Sequence, residues 1–75
     1  MKLKDSILNQ IKENRPLRGA LMDLHEVAES TVLRWLRDNH PHLIKYSSLQ
    51  VIGAYLKQDI DAMIVQEEHD FKKVI

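Results

Sequence analysis

The chain contains no cysteine, which removes the disulfide and thiolate-metal staples available to small folds. A secreted, disulfide-held scaffold is thereby excluded. Glycine and proline occur only twice each, and nothing reads as low complexity. The longest unbroken apolar run is Ala62 to Val65, far short of the roughly 20 residues that cross a bilayer or of a signal-peptide core. The expectation is a cytoplasmic protein with no membrane contact. Charge of one sign is lacking too, because eleven basic and eleven acidic side chains cancel. Any basic surface must come from uneven placement.

What remains is a 75-residue chain that is 44% hydrophobic and 29% charged, the balance of a globular domain rather than a disordered tail. A domain this small buries only roughly 60% of its unfolded surface, so compact helix packing or self-association must stabilise it. The charge is indeed uneven. Lys2, Lys4, Lys12, Arg15 and Arg18 outweigh Asp5 and Glu13 up to Ala20, whereas Asp59, Asp61, Glu67, Glu68 and Asp70 dominate from Lys57 onward.

Apolar periodicity predicts about five short helices. Leu3, Ile7, Leu8 and Ile11 share one stripe, giving a first helix from about Leu3 to Glu13. Pro16 suits the start of a second, in which Leu17, Ala20, Leu21 and Leu24 point inward and Gly19 costs about 1 kcal/mol relative to alanine. Ala28, Val32, Trp35 and Leu36 form the buried side of a third helix near Glu29 to Asp38, leaving Glu29, Ser30, Leu33, Arg34 and Arg37 outward. Asn39 can take the left-handed conformation at its end, and Pro41 cannot continue it. Ser47 with Gln50 reads as a capping box for a fourth helix with Leu49, Ile52, Tyr55 and Leu56 inward, and Gly53 inside it suggests a close helix–helix approach. Asp59 caps a fifth helix whose Ile60, Met63 and Ile64 face the core. With no alternating strand pattern, the fold class is an all-α, compact orthogonal bundle in one domain, 1–75.

The second and third helices are separated by only Glu26 to Ala28, a link suited to two helices crossing steeply, as in a helix-turn-helix over about residues 17–39. Leu21, Leu24, Val27, Val32 and Trp35 lock the crossing in this reading, with Trp35 as a core anchor. The stretch Leu21 to Asn39, LMDLHEVAESTVLRWLRDN, resembles the helix-turn-helix of lambda-repressor-like regulators, whose second helix commonly reads Val-Ser, two variable residues, Thr-Val and Arg-Trp. Val27, Thr31, Val32, Arg34 and Trp35 match that spacing. Leu49, Ile52, Leu56, Asp59, Ile60, Asp61, Met63 and Ile64 are similar to the family's fourth and fifth helices, so the likeness spans roughly Arg15 to Ile64.

Four positions depart from the pattern. Met22 replaces a small residue, His25 a leucine and Glu26 the glycine of the turn, which suggests a wider turn. Ala28 replaces the capping serine, leaving Ser30 or water to cap the third helix.

The resemblance implies sequence-specific binding of double-stranded DNA by a transcriptional regulator. Arg15, Arg18 and Lys45 would hold phosphates, while Ser30, Leu33, Arg34 and Arg37 approach base edges and Glu29 accepts from a cytosine amino group. The rival reading is a protein-interaction module on the same fold, using Leu33 and the apolar stripe Phe71, Val74 and Ile75. That stripe is also the expected homodimer contact, unless the acidic run before it marks a frayed end. No enzyme is expected, since there is neither a glycine-rich phosphate loop nor an ordered serine, histidine and carboxylate set. No small-molecule substrate, cofactor or metal is expected either. His40 and His42 flank Pro41, but Asp38 is the only nearby carboxylate at ligand spacing.

Overall fold

The computed structural model describes residues 1–65. Their order is β1 (Lys2–Leu3), α1 (Asp5–Lys12), α2 (Arg15–His25), α3 (Glu29–Asp38), a 3-10 turn (Pro41–Ile44), α4 (Tyr46–Leu56), α5 (Ile60–Met63) and β2 (Ile64–Val65). The result is a small all-α bundle closed by a two-stranded antiparallel ribbon in which Lys2 faces Val65 and Leu3 faces Ile64. Phe71, Val74 and Ile75, the expected pairing stripe, lie outside the described residues.

The apolar stripes meet in a single core. Ile7 and Ile11 of α1, Leu17 and Leu21 of α2, Val32, Trp35 and Leu36 of α3, Leu43 of the 3-10 turn, and Leu49 and Ile52 of α4 are all buried, together with Leu3, Met63 and Ile64. Each such side chain contributes roughly 1.5–3 kcal/mol by leaving water. Asn14 begins α2, its side chain accepting from the Leu17 amide at 3.1 Å, with Pro16 in the first turn where no amide is missed.

Three α-helices end in the same way. Glu26, Asn39 and Lys57 close α2, α3 and α4 in the left-handed conformation, with φ of 55°, 51° and 56°. In each case the amide of that residue and of the next return to one carbonyl, those of Met22, Trp35 and Gly53. Glu26 therefore takes the left-handed conformation that favours glycine. It accepts the steric cost of a side chain at positive φ.

Several expectations are corrected. Leu3 is not helical: it belongs to β1, because Lys4 is extended and α1 begins only at Asp5. The fifth helix stops at Met63, and Ile64 reaches the core from β2. Asp59 stands at the start of α5 but its side chain caps nothing. The capping box at Ser47 does not form, since α4 starts at Tyr46 with Lys45 at its cap position and no side-chain cap. Leu24 is 39% exposed because His25, one turn beyond Leu21, takes the inward place at the end of α2. Tyr55 is 46% exposed, while Leu56 packs against the core in its stead. Ser30 does not cap α3, which starts at Glu29 behind an uncapped Ala28. Ala28 itself is exposed rather than part of the buried stripe.

Asn39 connects the end of α3 to β1. Its side-chain amide donates to the Leu3 carbonyl at 3.0 Å, and its Oδ1 accepts from the Leu3 amide at 3.4 Å. The edge of β1 away from β2 is thereby satisfied by a side chain acting as a third strand. Asn39→Gly keeps the left-handed cap and loses the clasp, so it should cost about 1–2 kcal/mol. Asn39→Ala loses both and should cost roughly 1 kcal/mol more. Urea unfolding of the two variants checks the ranking, and an alanine variant no weaker than the glycine one contradicts it.

The two glycines behave oppositely. A Cβ at Gly19 meets nothing within 4 Å, whereas one at Gly53 falls 2.8 Å from the Gln58 carbonyl oxygen. The close approach at Gly53 is not the helix–helix contact expected: its partner is the Gln58 carbonyl, where the chain turns back after α4. Gly19→Ala should raise stability by about 0.5–1 kcal/mol by removing backbone freedom from the unfolded chain. Gly53→Ala should lower it, because backbone must shift, and thermal melts of both variants read the opposite signs.

Candidate nucleic-acid interface

α3 has a buried side and an outward side, and the outward side carries the expected residues. Glu29, Ser30, Leu33, Arg34 and Arg37 are all exposed, while Val32, Trp35 and Leu36 anchor the helix from behind. Arg15 at the start of α2 and Lys45 before α4 are exposed as well. Glu29 occupies the first turn of α3, where its charge complements the positive end of the helix dipole and partly offsets the missing cap.

Two of these residues engage each other. The Arg18 guanidinium reaches from α2 to Glu29, with Nε donating to Oε2 at 3.3 Å and Nη2 also 3.3 Å from that oxygen. Its Nη1 donates to the Lys12 carbonyl at the end of α1. Arg18 thus ties α1, α2 and α3 together, and its head group is already occupied by an anion. Arg37 lies 3.5 Å from Asp38 in an exposed pair, which is worth little in water. Arg15, Arg34 and Lys45 have no ion-pair partner among the described residues.

Leu33 and Arg37 also border a cleft of about 400 Å³ between α1 and α3, with Leu8 and Leu36 as its apolar walls and Asp5 and Lys12 at its rim. Leu33 is therefore not an isolated apolar residue on a polar face. It forms the edge of a groove.

Around Trp35, on the buried side of α3, lies a cluster that the sequence alone did not bring together. The rings of His25 and His42 stack at 5.9 Å with an interplanar angle of 6°, and both stand edge-on to Trp35 at 5.0 and 4.9 Å. His40 lies over Trp35 at 5.5 Å and against His42 at 4.6 Å. Beneath them Ser48 is fully buried, its hydroxyl donating to the His42 carbonyl at 2.7 Å. That hydroxyl has only one proton to give, so the His25 Nε2, 2.7 Å away, must donate to it. The only sequence signal for this arrangement is the His-Pro step that opens the 3-10 turn. Among the described residues no group of histidines and carboxylates is arranged to hold a metal, and no described helix is long and apolar enough to cross a membrane.

Burial, then the neighbouring His42 and Lys45, holds the His25 imidazole below its ordinary value of 6.5. His42 is lowered by desolvation, then by Lys45 and His40. The unfolded chain therefore takes up these protons first as pH falls. Stability should be level above about pH 7.5 and should decline as pH drops through 6.5 toward the lowered folded values. A melting temperature that rises between pH 7.5 and 5.5 would contradict the lowered imidazoles. Comparison with family models, curated proteins and solved structures finds no match to this chain.

Proposed function

We propose that this chain binds double-stranded DNA sequence-specifically as a transcriptional regulator, with α2, the Glu26–Ala28 link and α3 acting as a helix-turn-helix. The observation that carries the reading is the two-sidedness of α3: three buried anchors behind, and Ser30, Leu33, Arg34 and Arg37 exposed in front. A helix so held can enter a major groove about 12 Å wide, where a guanidinium pairs with guanine and a leucine meets a thymine methyl. Arg15 and Lys45 supply phosphate contacts, and Arg18 joins them if a phosphate oxygen replaces the Glu29 carboxylate. Net neutrality does not oppose this, because up to Ala20 five cations stand against only Asp5 and Glu13.

One observation favours a second reading. The cleft beside Leu33 has apolar walls and a charged rim, features that suit a side chain of a protein partner. Salt separates the two readings, since DNA binding releases counterions and apolar docking does not.

Binding to a pooled library of genomic fragments at low salt should therefore weaken with a log–log salt slope of about −3 to −4 per subunit. Arg34→Ala should cost about 1–3 kcal/mol and change the sequence preference, whereas Arg15→Ala should weaken all sequences alike. Glu29→Gln should tighten binding with little change of slope, because Arg18 reaches the same phosphate without first leaving a carboxylate. Absence of binding at low salt would reject the DNA reading, and unchanged binding by Arg34→Ala would remove α3 as the reading element.

A further inference from the structure

The connection between α3 and α4 is held by a group that works only without a proton. His40 stands at the start of the 3-10 turn Pro41–Ile44, and its Nδ1 accepts a hydrogen bond from the His42 amide at 3.1 Å. Serine, asparagine or aspartate usually fill this role, and none of them loses its acceptor near neutral pH. An imidazole does. Protonation at Nδ1 turns the acceptor into a donor pointed at another donor, so the cap and the added proton exclude each other.

We propose that the segment from His40 to Lys45 is a proton-released latch, in which His40 caps the 3-10 turn when neutral and frees it when protonated.

The surroundings favour release once protons arrive. α2 contributes His25, α3 the neutral indole of Trp35, the turn His42, and α4 the neutral hydroxyl of Ser48. The charged group acting on His25 and His42 is Lys45, itself a cation. Among the described residues no carboxylate lies within ion-pair distance of any of the three histidines. Protons entering this group therefore meet like charge and no counter-ion, and the rings, stacked at 5.9 Å for His25 and His42 and edge-on at 4.6 Å for His40 and His42, become mutually repulsive.

What the latch controls follows from its anchors. The turn buries Leu43 in the core, and its His42 carbonyl receives the Ser48 hydroxyl from the first turn of α4. Loss of the cap loosens the turn at its first amide, beside the Leu43 anchor, the Ser48 hydroxyl that also meets His25 of α2, and Lys45. Trp35, packed against all three imidazoles, reports the change. The inference does not rest on the DNA reading and its test needs no nucleic acid.

Hydrogen exchange of the His42 amide in the full chain, corrected for the intrinsic pH dependence, is the direct readout. Its protection should fall by about tenfold between pH 7.5 and 5.0, with a parallel change in Trp35 fluorescence. His40→Asn supplies a cap whose amide oxygen does not titrate, so in that variant the protection should persist across the range. Nitrogen chemical shifts of the wild-type imidazoles provide a check that needs no variant: at pH 7.5 His40 Nδ1 should be unprotonated. Constant His42 protection in the wild type, an equal loss in His40→Asn, or a protonated Nδ1 at pH 7.5 would each overturn the latch.

Discussion

The fold depends on how Leu3 is held. This residue is 1% exposed, and it sits where the first and last described elements meet and the end of α3 closes on them. On one side it faces Ile64 across the ribbon, and Lys4 extends the pairing by donating to the Met63 carbonyl at 2.9 Å. On the other side both of its peptide groups are taken by the Asn39 amide. A partly buried amide or carbonyl without a partner costs about 1–3 kcal/mol, a large share of the stability of so small a domain. Because Asn39 also ends α3, the same side chain that satisfies β1 fixes where α3 stops. The outward face of α3 is thus referenced to the chain's closure as well as to its own buried stripe.

Against that constraint the helix ends are weakly built. α1, α3, α4 and α5 start without a side-chain cap, each a missing increment of about 1 kcal/mol. Three helices end on non-glycine residues at positive φ, and only asparagine is well suited to it. Local chemistry therefore defines these boundaries less than tertiary contact does. The core spans every helix and both strands of the ribbon, and it carries the stability that the termini do not supply.

This division explains what could be read from the sequence. The buried faces of α1, α3 and α4 were legible at Ile7, Ile11, Val32, Trp35, Leu36, Leu49 and Ile52, because a repeated apolar spacing over eight or more residues has few alternatives. The outward set on α3 follows from the same period. The ribbon was not legible: two residues carry no alternation, and Leu3 and Ile64 fit a helical stripe as well as a strand. Nor was the exchange of Leu24 for His25, since an imidazole is inward only because a buried hydroxyl awaits it 23 residues away. Ser48, which no sequence pattern marks, is the polar centre of a packed junction. Apolar period is local information, whereas polar satisfaction is a property of the assembled core.

The candidate interface raises a question of magnitude at Arg18 and Glu29. Under the proposed DNA reading Glu29 is a carboxylate on the binding face, and it also occupies the Arg18 guanidinium. The pair is only partly buried, with the Glu29 side chain 49% exposed, so its strength lies in the range of about 0–1 kcal/mol and falls further as salt rises. A phosphate oxygen offers the same charge-assisted geometry with more charge behind it. Exchange of one anion for the other therefore costs little. The Lys12 carbonyl continues to hold the guanidinium during the exchange, so Arg18 need not search for its position. In the free protein Glu29 is the counter-ion that joins α3 to Arg18 of α2, and under the proposed DNA reading it is the group that a phosphate would displace. Its displacement would leave the buried anchors Val32, Trp35 and Leu36 undisturbed.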